Sequence, residues 1–179
     1  IVAIVAGTKS ETVINHLQRI SSYKRNQVIE ITLDMANSMK LIAWKVFPKA
    51  KQVTDRFHVQ KLALEAVQEI RIKLKWEALD RENEAITQAK LNKTKFITTD
   101  FSNGDTAKQL LTRSRFLLYK SQYKWSENQK ERAVILFKEY PELKEAYLLS
   151  QQLRNIYNNN TDKAIAITKL AHWYNNVEN

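Results

Sequence analysis

The sequence predicts an α/β start with a mostly α remainder. Three observations carry that prediction. Residues 1–55 alternate short β-branched runs with stretches of helical spacing. Beyond about residue 60, apolar side chains recur every three or four positions with few interruptions. The 179 residues include only two glycines and two prolines, too few for the turns of a sandwich or barrel.

Ile1-Val2-Ala3-Ile4-Val5-Ala6, closed by Gly7-Thr8, has the continuous apolar pattern of a strand buried on both faces. Thr8 or Ser10 then caps a helix over 11–20, with Val13, Ile14 and Leu17 at helical spacing. Residues 28–33 alternate as a second strand that ends in Asp34. A helix over 37–47 follows, its apolar face made by Met39, Ile42, Ala43 and Val46 and its end set by Pro48. Residues 50–55 have the length of a third strand.

From His58 to Asn92 there is neither glycine nor proline, and Val59, Leu62, Ala66, Ile70 and Leu74 recur at helical intervals. One helix of that span would be roughly 50 Å long, so a bend, a break or a projection is expected. Thr98-Thr99-Asp100 and Asn103-Gly104 mark turns. Helices are predicted over 106–118, 127–140 and 141–158, the last with Pro141 at a favourable first position. Thr161-Asp162 caps a final helix to residue 175. The domain division expected is 1–60, an α/β part, and 61–179, a long helix and a helical region.

The chain carries 29 basic and 19 acidic residues, a net charge of +10 with a pI near 9.7. The surplus sits in residues 1–120, with 21 bases against 12 acids, whereas residues 121–179 carry 8 and 7. That balance favours a polyanionic partner, nucleic acid before membrane. No apolar run reaches the roughly 20 residues of a membrane span. The absence of cysteine excludes disulfides and thiolate metal sites. Two glycines cannot build a Rossmann or P-loop phosphate cradle, the three histidines lack metal-ligand spacing, and no Gly-x-Ser-x-Gly elbow occurs. Trp44, Trp76, Trp125 and Trp173 lie at helical spacing and read as buried or half-buried core side chains more readily than as base-stacking platforms.

Two polar positions stand out. Asp34 follows a strand, where open α/β sheets place their ligands, and a carboxylate there either holds a divalent cation or caps the helix that begins near Ala36. Asp55-Arg56-Phe57-His58 packs acid, base, aromatic ring and imidazole between a strand and the long helix. Its bland account is a cap by Asp55, a staple by Phe57 and a solvated His58.

Leu33-Asp34-Met35, Phe47-Pro48-Lys49-Ala50 and Val53-Thr54-Asp55-Arg56-Phe57-His58-Val59-Gln60-Lys61 together resemble the DDE transposases of the ISL-three insertion-sequence family. Ser114-Arg115-Phe116-Leu117-Leu118, Ser126-Glu127-Asn128-Gln129-Lys130 and Pro141-Glu142-Leu143-Lys144-Glu145-Ala146-Tyr147 extend the resemblance over most of the chain. It implies a truncated ribonuclease-H-like core followed by an all-helical insertion. It also implies metal-dependent DNA cleavage and strand transfer, in which three acids hold two Mg²⁺ (or Mn²⁺) ions about 4 Å apart for in-line displacement at phosphate.

By that pattern Asp34 matches the second catalytic, metal-binding acid. The first Asp belongs to a strand before Ile1 and the final Glu to a helix beyond Asn179, and Glu178 lacks the context of that Glu. The expectation is therefore a central fragment, inactive alone, in which Mg²⁺ binding is weak or absent. Asp55, Arg56 and His58 take supporting roles. Lys61, Arg71, Lys73 and Lys75 form a basic stripe for DNA or, with Glu65, Glu69 and Glu77, a solvated helix face. DNA is the implied partner, with a homo-oligomer in the intact protein, in the bacterial cytoplasm and on the nucleoid. The alternatives are a non-catalytic nucleic-acid-binding module and a helical protein-interaction domain.

Overall fold

Two four-residue strands, β1 (Glu30–Leu33) and β2 (Lys51–Thr54), pair in parallel in the computed structural model, which describes residues 4–160 and 162–178. Both are shorter than the sequence predicts, by two residues for each run. Ile1–Ala3 of the expected first strand lie outside the described residues. Ile4, Val5 and Ala6 form no strand, and Ile4 is exposed. The chain divides into two compact units, Ile1–Val59 and Gln60–Asn179.

In the first unit, helix α1 (Ser10–Leu17) packs on α3 (Asn37–Val46), with α2 (Ser22–Arg25) a single turn between them in sequence. Ile14, Ile42 and Val46 make its small buried core, flanked by Val13, Leu17, Met39 and Phe47. Arg25 donates through Nη1 to Val46 O (2.7 Å) and through Nε to Ile20 O (2.9 Å). One guanidinium thus satisfies a carbonyl at the end of α3 that has no partner within its own helix.

Helix α4 (Arg56–Leu91) runs unbroken for 36 residues, about 54 Å at the α-helical rise. Of the three outcomes expected, a break does not occur, since no glycine or proline interrupts the helix. Val67, Leu74 and Ala78 enter the core of the second unit. They meet Leu110 and Leu111 of α5 (Ala107–Arg113), Leu117 and Leu118 of α6 (Arg115–Tyr119), Ala133 and Leu136 of α7 (Glu127–Glu139), and Leu143 and Tyr147 of α8 (Pro141–Asn159). The predicted helix over 106–118 divides at Ser114. Its Oγ donates to Leu110 O (2.6 Å), the back-bonding that competes with regular helix geometry.

Trp125 and Trp173 behave as the spacing suggests, each half-buried with its indole N–H on a carbonyl, Leu117 O and Leu149 O respectively (both 2.8 Å). Trp125 also stacks in a tilted trio with Phe137 and Tyr147, ring centroids 5.3–6.2 Å apart. Trp44 and Trp76 depart from expectation: both are exposed. Helix α9 (Lys163–Glu178) packs along α8, and Asp162 Oδ1 accepts from Ala164 N and Ile165 N at its start. Thr161, the other half of the predicted cap, lies outside the described residues.

The predicted Asn103-Gly104 turn holds the main buried charge. Gly104 takes a positive φ of 75°, which costs glycine little. That turn delivers the Asp105 carboxylate into the core, fully buried, where it meets Arg113 and Arg132 (Nε at 2.9 Å) while Asn103 Nδ2 donates to it at 3.0 Å. Burial pushes the Asp105 carboxyl upward, but the hydrogen bonds and charges of Arg132 and Arg113 outweigh it and hold its pKa below the ordinary value.

A folded pKa below the unfolded value of about 3.9 means that this stabilisation is fully present above that pH. It is lost as pH falls through the folded value. Asp105→Asn should therefore cost about 3 kcal/mol at neutral pH. In urea denaturation across pH, the gap from wild type should close below about pH 4.

Candidate functional site

The site begins with the ladder. Glu30, Ile31, Thr32 and Leu33 pair in register with Lys51, Gln52, Val53 and Thr54. One further bond, from Asp55 N to Leu33 O (2.8 Å), carries the pairing past the strand ends. Asp34 and Asp55 consequently occupy equivalent positions at the C-terminal edge of neighbouring parallel strands. Such strands lie about 4.8 Å apart, and this edge is where open α/β sheets present ligand-binding groups.

The two acids share a local device. Asp34 Oδ1 accepts from Ala36 N and Asp55 Oδ1 from Phe57 N, both at 2.9 Å. Each is an Asx turn that redirects the chain from strand to helix, α3 after Asp34 and α4 after Asp55. Each carboxylate also lies at the positive end of a helix dipole. The capping account and the ligand account of Asp34 are therefore compatible: one oxygen serves the turn.

Around Asp55, His58 Nδ1 lies 3.2 Å from Oδ2, and both side chains are part-exposed. Arg56 is exposed in the first turn of α4. Phe57 does not staple the helix to a core. Its ring is 66% exposed and meets His58 edge to face, centroids 5.8 Å apart. Asp34 is half-buried at a groove of about 360 Å³ whose walls include Val13, Leu17, Leu33, Met39 and Phe47.

The residues present do not by themselves fit a two-metal centre. Among the described residues, no three of His, Cys, Asp or Glu gather closely enough to hold a metal ion. Mg²⁺ needs near-octahedral oxygen ligation, to which Asp34 brings one carboxylate.

The four cations of the expected stripe belong to the second unit and have different fates. Lys61 lies 3.6 Å from Glu65 and Lys73 3.9 Å from Glu77, exposed i,i+4 pairs. Lys75 is half-buried. Arg71 leaves the stripe altogether: only 7% exposed, it donates through Nε to Gln68 Oε1 (2.8 Å) and through Nη1 to Leu111 O (3.0 Å). Burial, then the nearby charge of Arg115, lowers its pKa from the ordinary arginine value.

A different basic region is hidden within the charge totals of residues 1–120 and 121–179. Residues 106–126 hold Lys108, Arg113, Arg115, Lys120 and Lys124 and no acid at all. A local window of charge, not a total over 120 residues, is the signal that finds it.

The family model described as transposase, that of the ISL-three insertion sequences, matches residues 1–179. No curated protein and no solved structure matches the chain. No helix among the described residues is long and apolar enough to cross a membrane.

The shared turn chemistry separates structure from charge at Asp34. Asparagine offers the same Oδ1 acceptor, so Asp34→Asn should change stability by less than about 0.5 kcal/mol, whereas Asp34→Ala should lose about 1 kcal/mol with the turn bond. Urea denaturation of the two variants beside wild type checks this.

Proposed function

We propose that this chain, which belongs to the ISL-three family of transposases, takes part in DNA cleavage and strand transfer at the ends of a mobile element, with Asp34 as a catalytic carboxylate. The observation that carries the assignment is the place of Asp34. It follows a strand of a parallel sheet and sits in the Leu33-Asp34-Met35 segment of a chain matched by the family along its whole length.

In this reading the first unit is part of a ribonuclease-H-like core and the second a helical insertion. A divalent cation, Mg²⁺ or Mn²⁺, is the cofactor such a reaction uses. Asp34 supplies one ligand, and the other donors are not gathered around it among the described residues. The contribution of the chain's own groups is then positional. The Asx turns fix where the Asp34 and Asp55 carboxylates stand, and Asp55 with His58 and Arg56 orders the strand-to-helix loop beside them. Lys61, Lys73 and Lys75 offer charge to a DNA backbone, while Arg71 serves the core. DNA is the partner, in the bacterial cytoplasm, and a homo-oligomer is the form that would bring two element ends together.

A non-catalytic nucleic-acid-binding module is the second reading, favoured by the lack of a gathered metal-donor set among the described residues. One substitution separates the two. In the active transposase, Asp34→Asn should abolish strand cleavage in a gel assay while leaving end binding nearly unchanged. Cleavage that survives removes Asp34 from the reaction. Binding itself should weaken about 10³- to 10⁵-fold between 50 and 200 mM salt if roughly 6–10 phosphates are contacted.

A further inference from the structure

Between Leu111 and Ser121, five side chains from elsewhere in the second unit hold the segment by hydrogen bonds. Arg71 donates to Leu111 O (3.0 Å), Gln68 to Arg115 O (3.3 Å) and Trp125 to Leu117 O (2.8 Å). Arg154 donates to Tyr119 O (3.0 Å) and Ser121 Oγ (2.8 Å), and Tyr147 Oη to Lys120 O (2.8 Å). Helix α6 is only five residues long, so most of its carbonyls need partners from outside it, although Leu117 O also accepts from Lys120 N (3.1 Å). Donors from α4, α8 and Trp125 satisfy them, and Leu117 and Leu118 are fully buried beneath.

The aromatic side chains of the same segment are turned to solvent. Phe116 is 66% and Tyr123 81% exposed, with Tyr119 at 37%. Phe116 and Tyr119 are three apart on α6 and so share a side. Arg115 stands 5.5 Å from the centroid of the Phe116 ring and Lys124 5.6 Å from that of Tyr123. Among the described residues Arg115, Lys120 and Lys124 have no carboxylate within ion-pair distance, and no acid occurs from residue 106 to 126. Rings left in water forgo hydrophobic stabilisation. A rigid base beneath them lowers the ordering cost of any ligand they meet.

We propose that the segment Arg115–Lys124 is a stacking platform for an unpaired DNA strand, with Phe116 and Tyr123 receiving bases and Arg115, Lys120 and Lys124 following the phosphates. The inference rests on the DNA reading above and adds to it a site and a strand state. Duplex backbone contacts need cations alone, because paired bases hide their faces. Exposed rings interleaved with cations that have no carboxylate partner, although Lys120 Nζ donates to Gln129 Oε1 (3.3 Å), match the chemistry of single strands, on which every base offers a π face. An acidic protein segment would use the cations and leave the rings idle.

The test is fluorescence anisotropy of the whole chain with a labelled oligothymidine of about 20 nucleotides, beside a duplex of equal length. Phe116→Ala with Tyr123→Ala should weaken single-strand binding at least about tenfold and duplex binding less than about threefold. Phe116→Tyr with Tyr123→Trp should restore it. Matching thermal melts establish that the variants are folded, as expected for exposed rings. Unchanged single-strand binding, or an equal loss on both DNAs, overturns the platform and leaves the transposase reading standing. A wild-type chain that binds duplex but no single strand does the same. Binding to neither DNA at low salt overturns both. Equal affinity for polyglutamate, with the same dependence on Phe116 and Tyr123, transfers the surface to a protein partner and overturns the proposal.

Discussion

The first unit depends on a parallel ladder only four residues long. Its register decides which residues reach the C-terminal edge, and the terminal bond from Asp55 N to Leu33 O brings two acids there instead of one. A slip of one residue would turn Leu33 and its neighbours to the opposite face and displace both aspartates. Parallel pairing needs a crossover, and α3 supplies it with Ile42 and Val46 packed on Ile14 of α1. The small core and the placement of the acids are thus one constraint seen twice.

The second unit solves a different problem, that of buried polar groups in an otherwise aliphatic core. Asp105 is satisfied by two guanidiniums and an amide, Arg71 by an amide oxygen and a carbonyl, and Tyr147 by Lys120 O. Burial pushes the Tyr147 hydroxyl up to about 12, against the opposing charge of Arg154, so the phenol remains a hydrogen-bond donor through the physiological range. Such groups are tolerated inside only when partnered, and the partners here pin the short helix α6 and the turn before α5. Directional bonds beneath that segment leave its outward side chains available for other work.

Much of this was legible in the sequence for definite reasons. Pro141 at a helix start, Asn103-Gly104 at a turn and the helical recurrence from Val59 onward each rest on local stereochemistry, which the fold does not override. The position of Asp34 at a strand end is legible because a β-branched run gives way there to a helical one. Elsewhere position overrides residue type. Arg71 lies four residues from Val67 and three from Leu74, on the buried face, and its charge disguised that spacing. Trp76 falls between Leu74 and Ala78, about 200° around the helix from each, so its indole faces outward despite its size. Ser114 interrupts a continuous apolar pattern through one hydroxyl bond that no periodicity reveals. The bonds that hold the backbone from Leu111 to Lys120 come from Gln68, Arg71, Tyr147 and Arg154, residues up to 86 positions apart in the chain (from 68 to 154).

The central claim is that the Asp34 carboxylate is a ligand in the reaction with DNA and not only the hinge of a turn. The most direct measurement replaces it with a softer donor: strand cleavage by Asp34→Cys in the active transposase, assayed with Mg²⁺ and then with Mn²⁺, which accepts sulfur ligands more readily. The account predicts no cleavage with Mg²⁺ and recovered cleavage with Mn²⁺. Cleavage by the cysteine variant at the wild-type rate in Mg²⁺ would contradict it.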